Sequence, residues 1–183
     1  MKLTFLLTAC LSLLFALPVS PAEVSPYSGE ESREIKALSE SEIAGLMAGK
    51  GMGYAKAAEL NGYPGPKHVM ELADELALSP EQREQTQAVF ARMEASAKEL
   101  GSRLVDAERA LDLMFRESTV TADSLAAALR QIGALQAELR GAHLQAHLEQ
   151  VRILEKGQVA RYMELRGYGD GLHANHSHHD RDG

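Results

Sequence analysis

The chain is poor in the residues that fix a fold by covalent or aromatic means. Of its 183 residues one is cysteine, none is tryptophan and only 5% are aromatic. The one cysteine, Cys10, lies in an N-terminal segment that reads as a secretory signal, so the mature chain is expected to carry none. That excludes disulfides, thiolate catalysis and cysteine–metal sites. No basic block is present either. Without Lys2 the chain has 18 Lys and Arg against 26 Asp and Glu, a formal charge of −8. An acidic chain of this kind is a poor nucleic-acid binder. A core built without tryptophan must come from Leu, Ala, Met and Ile, which favours helices over a sheet.

The first 22 residues have the three parts of an export signal. Lys2 supplies positive charge, Leu3 to Leu17 form an apolar run, and Ser20-Pro21-Ala22 places small residues at a cleavage site. The run is shorter than the roughly 20 residues a membrane-spanning helix needs. Leu7-Thr8-Ala9-Cys10 resembles a lipoprotein box but lies too early, and apolar sequence continues past it. Cleavage after Ala22 leaves 161 residues, with no second long apolar segment. The expectation is a soluble periplasmic protein without stable membrane insertion, of one domain with a modest core.

Residues 23–38 are polar and aperiodic, and read as a flexible arm. Ser39-Glu40-Ser41-Glu42 is a capping box. A first helix is expected from there to about Leu60, with Ile43, Leu46, Met47 and Tyr54 on its apolar side, bent or frayed at Gly49, Gly51 and Gly53. Those glycines make no phosphate loop: no strand precedes them, and Lys50 lacks a following Ser or Thr. Asn61 to Pro66 is a turn, and a short helix follows from Lys67 to about Ala77. Leu78-Ser79-Pro80-Glu81-Gln82 is the sharpest local signal, with Ser79 as N-cap, Pro80 at the first helical position and Gln82 closing the box. The helix it opens should run to about Arg116. Phe90, Met93, Ala97, Leu100, Leu104, Ala107, Leu111 and Met114 form a heptad seam along it.

A break at Glu117 to Val120 precedes a second long helix, opened by Thr121 or Asp123. Leu125, Ile132, Leu139, Ala146 and Ile153 recur on it every seven residues, widened by Leu135 and Ala142. The fold class expected is therefore all-α: a long antiparallel helical hairpin with shorter N-terminal helices. Leu144, Leu148 and Val151 fall on the opposite side of the second long helix, which leaves an apolar surface for a client, a second subunit or the first helix. Residues 169–183 form a tail.

Chemistry-bearing residues are few. His143 and His147 stand i, i+4 on the second long helix, a spacing suited to one metal ion, on the flank between the two apolar sides. Two ordinary flank histidines are the plainer reading. Two ligands are too few for Zn(II) or Ni(II), and a third would come from His68, Glu71 or a methionine. His173, His176, His178 and His179 make the tail a low-specificity ligand set for Zn, Ni or Cu. No cofactor is required. No Ser/His/Asp arrangement is suggested, and the carboxylates fall on solvated helix faces, so an enzyme is not expected.

The export signal, the acidic helical domain and the Leu-Ser-Pro-Glu-Gln helix start together resemble the Spy/CpxP group of periplasmic proteins, marked by a repeated LTxxQ motif. Leu78, Ser79 and Gln82 match the first copy around Pro80. Leu154 and Gln158 match the second, but Glu155 stands where Thr should cap, which weakens the helix break expected there. The resemblance covers residues 39–168. It implies a hairpin that dimerises into a curved cradle. It also implies one of two roles. One is an ATP-independent chaperone or envelope-stress adaptor, acting on unfolded or stress-damaged clients. The other is a periplasmic heavy-metal (Zn, Ni or Co) sensor or metal-resistance protein, with a membrane sensor or anti-sigma partner. The sensors' N-terminal His-x-x-x-His pair is missing here, whereas His143 and His147 resemble their later pair, with His147 in place of Met. A helical envelope protein with some other partner is the third alternative.

Overall fold

Three side-chain caps start the helices that carry the fold. The computed structural model describes residues 24–168, and among these are six α-helices and no strand. Of the described residues, 24–31 belong to a unit of their own, made of turns and the start of a short 3-10 segment, Glu30–Ser32. All six α-helices belong to the unit that begins at Ser32. Ser39 Oγ accepts from the Glu42 N–H at 3.2 Å and opens α1 (Glu40–Met47). Ser79 Oγ accepts from Gln82 N–H at 3.1 Å and opens α4 (Pro80–Arg116). Thr121 Oγ1 accepts from Ser124 N–H at 3.2 Å and opens α5 (Ala122–Ile153). Each cap satisfies a backbone donor that the first helical turn leaves unpaired.

The first expected helix is two. It stops at Met47, and α2 (Lys56–Glu59) resumes after a loop. Gly49 explains the stop: its φ of +63° is left-handed, and Lys50 N–H then reaches Gly45 O at 2.9 Å. That is a Schellman ending, which an L side chain enters only under strain. The next helix, α3 (Pro66–Glu71), is also shorter than expected, and turns fill the chain to Ala77.

With 37 and 32 residues, α4 and α5 are about 55 and 48 Å long at 1.5 Å per residue. They pack along each other as the expected hairpin, with α1 and α3 on α4 and α2 on α5. α1 crosses α4 at Gly101, where an added methyl would overlap the Leu46 carbonyl. The segment before α1 does not behave as the free arm expected to Leu38. Ile35 is completely buried in the core, and Lys36 N–H donates to Asp112 Oδ1 at 3.0 Å.

The second long helix ends where the second motif stands. Leu154 adopts an extended backbone (φ −89°, ψ 147°), and α6 (Lys156–Leu165) follows. The break forms without a threonine because Gln158 Oε1 accepts from the Glu155 N–H at 2.9 Å. The two motif glutamines then face each other. Gln82 Nε2 donates to Gln158 Oε1 at 2.8 Å, and Gln158 Nε2 donates to Gln82 Oε1 at 3.0 Å. Their remaining N–H groups reach backbone carbonyls, Gln82 to Ile153 at 2.9 Å and Gln158 to Leu76 at 3.2 Å. The start of α4 is thereby locked to the α5–α6 break.

Candidate functional site

The core is interrupted by a polar belt. One apolar cluster joins Ile35, Leu46, Ala97, Leu100, Leu104, Ile132, Leu135 and Leu139. The other joins Val69, Ala73, Leu76, Leu78, Leu154, Tyr162 and Met163. On α5 the stretch from Leu139 to Leu154 separates them, and it buries His143, His147 and Gln150. On α4 the buried Thr86 occupies the matching stretch and accepts from Gln150 Nε2 at 3.1 Å.

The histidine pair is therefore part of the buried arc of α5, not of its flank. At 100° per residue, positions 143 and 147 fall about 40° and 80° round from Leu139, and the turns on either side of α2 cover that extra width. His143 and His147 are 3% and 8% exposed. His147 Nδ1 lies 2.7 Å from Tyr63 O. A carbonyl can only accept, so Nδ1 carries a hydrogen, and the neutral tautomer that fits this contact has its lone pair on Nε2. His147 Nε2 approaches Gly65, where an added Cβ would stand 3.0 Å from it. A side chain on Gly65 would force the buried ring to shift. His143 stacks on Tyr54, with ring centroids 5.8 Å apart and planes 11° from parallel. Its Nε2 is buried with no hydrogen-bond partner. Burial, and then the neighbouring His147, holds the His143 pKa below its ordinary value, so the ring is neutral at pH 7.

Beside the pair is Glu59, the last residue of α2. Its Oε1 accepts from Tyr162 Oη at 2.5 Å and lies 3.6 Å from Arg166 Nε. Burial, then the Glu59 contact, pushes the Tyr162 phenol well above its usual range, so it stays protonated and donates. Glu59 Oε2 has no hydrogen-bond partner and stands 3.7 Å from His147 Nδ1. One carboxylate thus meets α5 and α6 from α2.

These groups open onto a cavity of about 680 Å³, lined among others by Met52, Glu59, Phe90, Met93, His143 and His147. Phe90 and Met93 belong to the expected α4 seam, but the buried positions at that end are Thr86 and Val89, which leaves both half-exposed to the cavity. His68 also borders it, whereas Glu71 does not. Those two pair with each other, His68 Nδ1 to Glu71 Oε2 at 2.8 Å, and the contact holds the Glu71 carboxyl below its ordinary range. Among the described residues no group of three or more His, Cys, Asp or Glu side chains stands at metal-holding spacing.

Of the other expected site residues, Leu144 and Val151 are half-buried and Leu148 is exposed. The export signal and His173, His176, His178 and His179 lie outside the described residues. No described helix is long and apolar enough to cross a membrane. Sequence reasoning missed Glu59 and Tyr162 and gave Tyr54 only as an apolar-side residue of the first helix. Nothing in local sequence marks them, because each is brought to the pair by loops and by α6. No family model, curated protein or solved structure matches the chain.

Proposed function

We propose that the protein is a periplasmic metal-binding protein of the Spy/CpxP kind, which takes up a transition-metal ion at His143 and His147 and serves metal sensing or resistance. The observation that carries this reading is the state of the two imidazoles. They are one helical turn apart and almost fully buried, burial holds the His143 ring toward its neutral form, and His143 Nε2 has no partner. Burying a polar nitrogen without a partner is costly. A leucine pair would pack there at no such cost. A bound ion satisfies both rings, and the Tyr63 carbonyl on His147 Nδ1 is the kind of outer contact that orients a metal-binding histidine. The residues fit a metal as ligands, and the adjoining Glu59–Tyr162 contact links the site to α6.

The test uses the full chain with His173, His176, His178 and His179 replaced by Ala, so that the tail does not compete. This protein is dialysed separately against Zn(II), Ni(II), Co(II), Cu(I) and Ag(I), and its metal content measured. One ion per chain is expected with at least one of these metals, and His143→Gln/His147→Gln in the same background should lose it. Retention of no ion would end the reading.

A second reading, passive client binding, is favoured by Leu148, which is 41% exposed beside half-buried Leu144 and Val151. Exposed apolar side chains on a rigid helix offer an ATP-independent surface for unfolded segments.

A further inference from the structure

The metal-binding reading leaves the identity of the ion open, and the donors around the cavity narrow it. We propose that the site is selective for a soft monovalent ion, Cu(I) or its mimic Ag(I), held by His143 and His147 with thioether sulfur from Met93 and Met52. This rests on the metal-binding reading above and goes beyond it in naming the metal class.

Three observations carry the choice. First, the borderline ions Zn(II) and Ni(II) want three or four strong ligands, usually imidazole, thiolate or carboxylate. Among the described residues no such trio of His, Cys, Asp or Glu is gathered anywhere. Two imidazoles with thioethers instead match the low coordination numbers and soft donors that suit Cu(I).

Second, two methionines line the same cavity as the pair, one from α4 and one from the loop after α1. Met93 comes from α4, at a position the heptad seam would bury, yet it is left half-exposed to the cavity. Met52 comes from the glycine-rich loop between α1 and α2. Its φ of +41° is a left-handed conformation that a side chain other than glycine enters only under strain. Its sulfur rests where a side chain on Gly45 would be, since an added Cβ there would stand 2.8 Å from Met52 Sδ. A methionine is thus held at a position that backbone energetics would give to glycine, and the helix beneath it leaves room for its sulfur.

Third, the lysines bordering the cavity outnumber its carboxylates, although Lys67 is paired with Glu71 and Glu94 with Lys98. Lys50, Lys56 and Lys67 line it against the carboxylates of Glu59 and Glu94. One oxygen of Glu59 is already occupied by the Tyr162 hydroxyl. An ion of charge +1 bound by neutral donors meets less repulsion than one of charge +2. Binding involves no change of oxidation state, since Cu(I) enters and stays as Cu(I).

The test again uses the full chain with the four tail histidines replaced by Ala. Cu(I), kept reduced and buffered by a competing bicinchoninate chelator, and Ag(I) are titrated alongside Zn(II) and Ni(II). Cu(I) and Ag(I) are expected to bind at least about tenfold tighter than either divalent ion. Met93→Leu and Met52→Leu, which keep side-chain volume, should each weaken Cu(I) binding about tenfold or more and leave Zn(II) binding unchanged. X-ray absorption of the Cu(I)-loaded parent should show sulfur bonded to copper, a readout independent of how any variant folds. Equal or tighter binding of Zn(II) or Ni(II) would overturn the soft-ion proposal and leave the metal-binding reading standing. Cu(I) binding with only nitrogen and oxygen neighbours would do the same. Failure to bind any of the four ions would remove this proposal, and with Co(II) also unbound it would remove the metal-binding reading as well.

Discussion

Asp112 shows how a single carboxylate decides where a polar segment goes. Its side chain is only 10% exposed and receives Lys36 N–H at 3.0 Å and Arg116 Nη2 at 2.7 Å. The Lys36 backbone contact first, and Arg116 and the Lys36 charge with it, hold its pKa below the ordinary 3.8. A depressed carboxylate binds fewer protons in the folded than in the unfolded chain, so its stabilisation is complete above about pH 4 and is lost as pH falls through the folded value. Asp112→Asn should therefore cost about 1 kcal/mol at pH 7 by urea denaturation, and the gap to the parent should close as pH falls below the ordinary carboxylate range. A gap that stays constant with pH would show that the charge plays no part. This contact, with Ile35 buried beside it, ties down a segment that sequence alone presents as a free arm. One apolar residue among polar neighbours gives no periodicity, and its burial depends on a partner about 75 positions away. The same limit governs the candidate site. The His143/His147 pair is legible because i, i+4 spacing is local. Glu59 is not, since only the α2 turn and α6 bring it to them.

At the scale of elements, side-chain caps made most of the fold legible. Ser39, Ser79 and Thr121 each start a helix where their sequence signatures put them. Helix endings read less well. The glycine-rich stretch splits the first helix instead of bending it, because Gly49 takes a left-handed conformation and Gly101 lets α1 end directly on α4. The break after α5 was obscured by Glu155, since a threonine cap is the expected signal. Gln158 caps the break from three residues inside α6, and Gln82 holds it from across the hairpin. The paired amides form a closed unit with every N–H group directed at an oxygen, so removing one strands the other. Gln82→Ala and Gln158→Ala are each expected to cost about 2 kcal/mol in urea denaturation. The double variant should fall short of their sum by about 1 kcal/mol. Strict additivity would mean that the two glutamines act only as separate caps.

For the whole molecule, the question is what the remaining apolar surface is for. The α4–α5 hairpin buries one arc of each helix, and α1, α2, α3 and α6 cover part of the rest. Leu113, Phe115 and Leu129, near the hairpin connection, remain 43%, 56% and 52% exposed, and Leu148 stands 41% exposed further along α5. Three or four side chains fall well short of the roughly 800 Å² per partner that a stable interface buries. Self-association through Leu148 alone would be weak, and Leu129 lies about 100° round α5 from it, so a dimer that uses both must cover two adjacent faces of the helix. The homodimer that the family resemblance implies therefore needs the length of α5, and both Leu129 and Leu148 should matter to it. Sedimentation of the parent across a range of concentrations should show a monomer–dimer equilibrium. Leu148→Glu and Leu129→Glu should each weaken it at least about tenfold, since dimerisation would bury an unpaired carboxylate where the parent buries an apolar side chain. Both substitutions lie on exposed positions and should leave the helical content unchanged by circular dichroism. If the parent is monomeric at all concentrations, the exposed leucines are free for other chains. Suppression of aggregation of a denatured client by the parent, and its loss in Leu148→Glu, would then assign this surface to client binding. A monomer that does not suppress aggregation would sink both uses of the surface and leave the buried histidine cavity as the functional centre.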